Sequence, residues 1–356
     1  MKVVIACGGT GGHLFPGIAV AEELQRQGHE PVLLISEKKV DAEASAKYES
    51  LRFEVIPAVA MPRKTSPKMI PFLFRVWRTI GQCRALLKRE QAEVVLGMGG
   101  FTSLPPVYAG KKLGLRTYVH DSNAIPGKSN VMTSRFCKKV LLGLEPAQSY
   151  FEGRETEVVG TPVRGELESL PSRAQAAKKW ELDEGVPTLL VFGGSQGAKG
   201  LNTLVLEGTE AMEGVQVLHV AGQGDFERVR AEAAARKRYR VLSFCDDMPS
   251  AYAMADGVVC RSGASSLTEL AHLGLPSLLV PYPHAADDHQ TANAEVFAEK
   301  GAALMAQESE LDGQMMEALM SRLLPGSEDR ASLTSAIQKM GEGSAAERIA
   351  RVLVED

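Results

Sequence analysis

A chain of 356 residues, 44% of them hydrophobic, is long enough for two buried cores and long for one. A net charge of −4, with 24% charged residues, gives no global reason to expect a nucleic-acid partner. The five cysteines (Cys7, Cys83, Cys137, Cys245, Cys260) are odd in number and include no Cys-x-x-Cys pair, which fits reduced thiols better than a disulfide framework or a zinc site.

The first element is the apolar run Lys2 to Cys7, a buried strand that breaks into Gly8-Gly9-Thr10-Gly11-Gly12-His13. Ile18 to Gln27 predicts a helix stopped by Gly28. Pro31 to Ile35 and Glu54 to Ile56 predict two further strands, and Phe72 to Leu87 a helix mixing apolar and basic residues. Glu93 to Leu96 reads as a strand ending in a second glycine turn, Gly97 to Gly100. Arg116 to Val119 is another strand, closing on His120-Asp121-Ser122-Asn123. This alternation predicts an α/β fold with a parallel sheet covered on both faces.

The scheme then repeats. Thr188 to Phe192 runs into Gly193-Gly194-Ser195-Gln196-Gly197, and Val215 to Val220, Arg240 to Phe244, Gly257 to Cys260 and Pro276 to Val280 predict further strands. Two strand–glycine-loop–helix units about one domain apart predict two Rossmann-like domains facing across a cleft. The hinge is expected at Val158 to Pro162, giving domains 1–162 and 163–340. The amphipathic C-terminal segment 341–356 is expected to pack back on the first domain.

A glycine loop has several readings. It can be a bare turn, or the start of a dinucleotide site with Glu37 as the ribose-binding acid, although the third glycine position of that pattern falls on Leu14. His13, one residue past the loop, falls in the first turn of a helix, whose positive end favours the neutral imidazole that a general base needs. The segment Cys260 to Glu269 offers small and hydroxyl residues at a helix start, with a carboxylate one turn in. Ser265, Ser266 and Glu269 also loosely imitate a capping box, so this stretch is either a capped helix or a phosphate-and-ribose site. Asp287, Asp288, His289, Gln290 and Asn293 read as groups for sugar hydroxyls; His284 and His289 are badly spaced to share a metal. No Asp-x-Asp pair occurs, so a departing diphosphate would rely on helix N-termini, hydroxyls and Arg164 rather than on a divalent metal.

Eight strings now stand in order: GGTGGHLFPG from Gly8, GMGGF from Gly97, HDSNAIPG from His120, GTPVR from Gly160, GGSQGA from Gly193, DDM from Asp246, CRSGASSLTE from Cys260 and DDHQTANA from Asp287. In order and spacing they resemble the MurG family of peptidoglycan synthesis, within the GT-B glycosyltransferases, over essentially the full length. The resemblance implies an inverting hexosyltransferase. It would move N-acetylglucosamine from UDP-GlcNAc to the C4 hydroxyl of the muramoyl sugar of lipid I (undecaprenyl-pyrophosphoryl-MurNAc-pentapeptide), giving lipid II, with no cofactor or metal.

By the same resemblance Thr10, Gly11 and Gly12 line the site near diphosphate and acceptor, His13 is the candidate base, and Asn123 binds donor or acceptor. Arg164 and Ser195 would contact the diphosphate, and Cys245 would present backbone to uracil. Gly263, Ala264, Ser265, Ser266, Leu267 and Thr268 would cradle phosphate, Glu269 would hold the ribose, and Gln290 and Asn293 would read the GlcNAc hydroxyls. The family carries Glu where this chain has Asp121, one methylene shorter, which weakens the case for a direct catalytic role. Other GT-B glycolipid synthases, such as diacylglycerol glycosyltransferases, share the donor half and differ in acceptor. A nicotinamide oxidoreductase is the more remote alternative.

A lipid-linked acceptor implies contact with a membrane. Between Ala60 and Glu90 lie Arg63, Lys64, Lys68, Arg75, Arg78, Arg84, Lys88 and Arg89, interleaved with Ile70, Phe72, Leu73, Phe74 and Trp77. That composition suits an anionic membrane surface; the alternative is that Phe72, Phe74 and Trp77 pack into the core beneath a solvated basic face. With no signal peptide and no apolar span of about eighteen residues, a peripheral protein on the cytoplasmic face of the inner membrane is expected. Its partners would be UDP-GlcNAc, lipid I, anionic lipid and other cell-wall and division proteins.

Overall fold

The computed structural model describes residues 1–38, 41, 46–57, 69–194 and 197–355. The chain divides into two compact units, Met1–Arg164 with Ser344–Asp356, and Gly165–Gly343.

In the first unit the strands are β1 (Lys2–Ala6), β2 (Glu30–Ile35), β3 (Arg52–Val55), β4 (Val94–Gly97), β5 (Arg116–Asp121), β6 (Lys139–Leu142) and β7 (Thr156–Val158). They form one parallel sheet in the order β3-β2-β1-β4-β5-β6-β7. The central strands are buried along nearly their whole length, as a sheet covered on both faces requires. The covering helices are α1 (Gly11–Arg26), α2 (Met69–Arg89), α3 (Leu104–Lys112) and α4 (Lys128–Thr133).

The first helix takes in His13 in its first turn, as expected, and runs through Pro16 and Gly17 into the apolar stretch that begins at Ile18. Burial explains why those two helix breakers are tolerated. A Cβ on Gly17 would lie 2.4 Å from Cβ of Cys7, so the glycine is what lets α1 lie against the end of β1. This close helix–strand approach is the job of the last glycine in dinucleotide-type folds, done here by Gly17 rather than at Leu14.

The second unit has β8 (Thr188–Phe192), β9 (Gln216–Val220), β10 (Tyr239–Leu242), β11 (Gly257–Cys260), β12 (Ser277–Leu279) and β13 (Leu304–Met305). Their order is β10-β9-β8-β11-β12-β13, again all parallel. Around them lie α5 (Arg173–Trp180), α6 (Lys199–Gly208), α7 (Phe226–Ala233), α8 (Met248–Met254), α9 (Ala264–Leu273), α10 (His289–Glu299), α11 (Gly313–Ser321) and α12 (Glu328–Met340). In both sheets the strand order reverses beside the first strand of the unit, the place where open α/β sheets bind ligands at their carboxyl edge.

The last helix, α13 (Ala345–Glu355), belongs to the first unit. Its apolar stripe, Ile349, Ala350, Val352 and Leu353, enters the same core as Leu14, Ile18 and Leu24 of α1. Arg348 Nε donates to Val159 O at 2.8 Å and so ties this helix to the turn that ends the first sheet.

Candidate active site

In the first unit the site is built at the carboxyl edge of β1, β4 and β5. Thr10 caps α1 in an extended conformation, with Gly11 and Gly12 as the first two helical residues and His13 as the third. The Thr10 Oγ1 lies 3.2 Å from Nδ1 of His13. The second glycine turn closes over the imidazole: a Cβ at Gly99 would stand 2.9 Å from Nε2 and Cδ2, and one at Gly100 would stand 3.1 Å from Cε1. Both glycines have positive φ, +117° and +72°, so residue type and space are fixed together. Ser103 locks this turn, accepting from Gly99 N at 3.0 Å and donating to Gly99 O at 2.8 Å.

Burial, reinforced by the Lys38 ammonium, pushes the His13 pKa down to about 4, while the Asp41 carboxylate pulls the other way. The ring is therefore neutral at pH 7.

The first glycine loop does not turn all its amides outward. Gly9 N donates to Asp41 Oδ2 at 2.9 Å, the oxygen that also accepts from Ser36 N at 2.8 Å. Lys38 Nζ donates to Gly9 O at 2.7 Å, and Thr102 Oγ1 to Gly8 O at 2.8 Å. A buried carboxylate of the chain itself thus occupies part of the loop that sequence alone assigns to a bound anion. No motif flags Asp41, because it lies 32 residues from Gly9.

The string HDSNAIPG folds around Asp121. Strand β5 runs on through His120 and Asp121, two residues past its expected end, and both side chains are buried. The Asp121 carboxylate accepts from Asn123 N at 3.0 Å, Gly127 N at 3.0 Å and Asn130 Nδ2 at 2.7 Å. Burial raises its pKa and these bonds lower it, with burial prevailing. With every bond directed at its own loop, Asp121 acts as the peg on which Asn123 is mounted. His120 Nε2 pairs with Gly160 O at 2.8 Å. Arg164 stacks its guanidinium 4.7 Å from the centroid of the Phe15 ring, one turn along α1 from Gly11 and Gly12.

In the second unit β11 leads through Arg261 and Ser262 into α9, whose N-cap is Gly263. The N-cap is a glycine with no side chain to cap the helix, so the capping-box reading of Ser265, Ser266 and Glu269 fails, and the first-turn amides of Ala264, Ser265 and Ser266 point from the helix end where an anion would be met. Leu267 is buried, and the Thr268 hydroxyl is turned back to Ala264 O at 2.9 Å, so neither side chain faces outward from that end. Glu269, one turn in, accepts from the Tyr252 hydroxyl at 2.7 Å. Tyr252 lies 17 residues upstream on α8 and carries no sequence signal of this role.

Cys245 is buried, and desolvation pushes its thiol up to about 11. Gln290 accepts from Tyr282 N at 3.0 Å through Oε1. Asn293 is fully buried, and its amide donates to Ser262 O at 3.1 Å. That bond holds the approach to α9. Ser195 lies outside the described residues. Among the described residues, no group of three or more His, Cys, Asp or Glu side chains could hold a metal ion.

Along α2 the apolar residues part into two faces. Phe72 is only 8% exposed, its ring edge-on to Phe101 at 5.5 Å, and Cys83, Leu86 and Leu87 continue that buried stripe. Phe72 is thereby corrected from a surface contact to a core residue. Ile70, Leu73, Phe74 and Trp77 are on the outside, Trp77 at 71% exposure, with Arg75 and Arg78 exposed beside them. Arg63, Lys64 and Lys68 lie outside the described residues. No described helix is long and apolar enough to cross a membrane.

The family models for the glycosyltransferase family 28 N-terminal and C-terminal domains match residues 3–142 and 188–349. A Myxococcus xanthus protein named UDP-N-acetylglucosamine–N-acetylmuramyl-(pentapeptide) pyrophosphoryl-undecaprenol N-acetylglucosamine transferase is 35% identical, the match covering 100% of this chain and 93% of the relative. A Geotalea daltonii protein of the same name is 37% identical over 98% of the chain and 96% of the relative. The chain belongs to the MurG family. The crystal structure of Acinetobacter baumannii MurG superposes with a TM-score of 0.75 at 29% identity, covering 100% of this chain and 99% of that one. The kitacinnamycin glycosyltransferase, at 15% identity and a TM-score of 0.71, shares the fold alone. Both sheets are thus the Rossmann-like domains of a GT-B glycosyltransferase. Within that MurG framework Asp41, Asn130 and Tyr252 support the candidate site and escaped sequence reasoning, while Gly99 and Gly100, read as a glycine turn, gave no sign that they press on His13.

Proposed function

We propose that this protein transfers N-acetylglucosamine from UDP-GlcNAc to the C4 hydroxyl of the muramoyl sugar of lipid I, with inversion, releasing UDP and lipid II. Full-length similarity to transferases of that name carries the reading. The geometry within each site supports it.

In this reading the second unit holds the donor. The uncapped start of α9 meets the diphosphate with main-chain amides, which favour negative charge there without a cation. Glu269, oriented by Tyr252, accepts from the ribose hydroxyls. Backbone at Cys245 faces the uracil, and Gln290 reads the sugar. Arg164 and Ser195 assist at the diphosphate. The first unit holds the acceptor, with Thr10, Gly11, Gly12 and Asn123 lining it.

His13 takes the proton. With Nδ1–H donating to Thr10, Nε2 keeps its lone pair for the C4 hydroxyl. As that oxygen bonds to the anomeric carbon, the carbon–oxygen bond to UDP breaks and the hydroxyl proton passes to His13. A pKa near 4 keeps the base unprotonated, and the acceptor's own diphosphate raises its proton affinity as it binds.

The exposed face of α2 lies against anionic lipid at the cytoplasmic surface of the inner membrane. Its aromatic and aliphatic side chains enter the headgroup region and Arg75 and Arg78 pair with phosphates, each basic residue contributing about 1 kcal/mol. The test of acceptor choice is competition. UDP-GlcNAc is supplied with a short-chain lipid I analogue and with diacylglycerol. Exclusive labelling of the lipid I analogue is expected, and glycosylation of diacylglycerol would favour another GT-B glycolipid synthase.

A further inference from the structure

Beneath the glycine loop that follows β8 lies a polar cluster in an otherwise apolar core. Asn202 of α6 and His219 of β9 are both fully buried. His219 Nε2 is 3.0 Å from Asn202 Oδ1, and its Nδ1 is 2.8 Å from the Tyr239 hydroxyl on β10. Asn202 Nδ2 donates twice, to Ala221 O at 2.9 Å and to Asp225 Oδ2 at 2.8 Å. Asp225 is held in turn by Arg228.

The proton positions follow from this pattern. Both Asn202 Nδ2 hydrogens are in use, so Oδ1 faces the imidazole, Nε2 carries the hydrogen, and Nδ1 accepts from Tyr239. Every polar atom of the amide and the ring is satisfied in a single tautomer. A half-satisfied set of this kind would cost more than an apolar core, whereas a complete one specifies a unique arrangement.

What it specifies is the fit between two loops at the carboxyl edge of neighbouring strands. The loop after β8 touches the loop after β9: a Cβ on Gly197 would lie 2.7 Å from Ala221 O and 3.0 Å from Cα of Gly222. That same Ala221 carbonyl is gripped by Asn202, and Asp225 N closes the second turn on Gly222 O at 3.2 Å. The Asn202 side chain therefore holds the β9 side of the contact, while its backbone N–H donates to Ala198 O at 2.8 Å at the end of the loop after β8; β11, which leads into α9, is the other neighbour of β8.

We propose that Asn202, His219 and Tyr239 are positioning residues for the donor. They hold Gly197 and Ala198, at the end of the loop after β8, against residues 221–225 in the one register that leaves main-chain groups aimed at the UDP moiety. The inference rests on the reading that the second unit holds UDP-GlcNAc. None of the three touches the donor; each acts through the loops.

The test compares Asn202→Leu, His219→Phe, Tyr239→Phe and His219→Gln in the full chain, with UDP affinity by calorimetry and KM for donor and acceptor measured separately. For Asn202→Leu and His219→Phe the UDP Kd and donor KM should rise about tenfold, with acceptor KM unchanged. For His219→Gln, whose amide can donate to Asn202 and accept from Tyr239, both should stay within about threefold of the parent. Unchanged UDP affinity in folded Asn202→Leu and His219→Phe, or an equal rise in acceptor KM, overturns the proposal. If those two do not fold, Tyr239→Phe decides, with a weaker UDP affinity expected and an unchanged one overturning it. Glu269→Ala separates the two levels of the argument. Lost UDP affinity there with none lost in the other variants overturns this inference alone, and unchanged affinity in all of them overturns the donor-site reading itself.

Discussion

The imidazole of His13 occupies the space that a side chain on Gly99 would need, with Nε2 only 2.9 Å from the position of a Cβ there. The two residues come from different glycine strings, 86 positions apart in a chain where each string alone reads as a plain turn. Gly99→Ala should therefore act as a lesion of His13. The new methyl group displaces the ring, and φ of +117° strains the backbone as well. We expect kcat to fall by about two orders of magnitude, as removing a general base does, with UDP affinity unchanged. Normal turnover in Gly99→Ala would show that the ring's position is unimportant.

Asp121 and Asn123 are coupled in a similar way. Asp121→Asn turns an amide donor toward Asn130 Nδ2 or the Asn123 and Gly127 amides, leaving buried donors unpaired at a cost of about 1–3 kcal/mol. A lower melting temperature and a lower kcat are expected, without displacement of the pH–rate profile. A displaced profile would mean that Asp121 exchanges the catalytic proton itself.

Acid should weaken the fold through buried histidines. Burial holds His120 at about 4 and His219 at about 3, below the ordinary value near 6.5. Between the folded and unfolded values the unfolded chain binds more protons, so stability rises with pH across that window. The contribution is complete above pH 6.5 and is lost as pH falls toward 4 and then 3. Melting temperature should drop between pH 7 and pH 5, and His219→Gln should flatten the slope. An identical slope in that variant would remove His219 from the account.

The outer face of α2 should be separable from stability. Replacing Leu73, Phe74 and Trp77 with Ser, or reversing Arg75 and Arg78 to Glu, should leave the melting temperature nearly unchanged because these side chains are exposed. Binding to vesicles containing anionic lipid should weaken more than about tenfold. Phe72→Ser should do the opposite, lowering stability through the lost contact with Phe101. Undiminished vesicle binding by the outer-face variants would leave that surface without a role.

Strand cores and the glycine strings were legible because burial on both faces of a parallel sheet leaves continuous apolar runs such as Lys2–Ala6 and Thr188–Phe192. The apolar pattern marked α1 only from Ile18, while the place of His13 after the loop marked its first turn; the need for Gly17 shows only once Cys7 is seen pressed against it. Strand β13, two residues at a sheet edge, is too short for a pattern to be read. The inward turn of Phe72 depends on which way a helix is rotated against its neighbours. Local composition does not contain that information. Asp41 and Tyr252 show the same limit from the other side, as partners chosen by the fold at separations of 32 and 17 residues.

The central claim is displacement at the anomeric carbon of GlcNAc by a hydroxyl deprotonated at His13. The most direct measurement is the anomeric configuration of the product formed from UDP-GlcNAc and a short-chain lipid I analogue, read by proton NMR beside a His13→Ala control. A β-linked disaccharide that forms with the parent chain and drops by about two orders of magnitude in the control is the predicted result. An α-linked product, or equal turnover by His13→Ala, would contradict it.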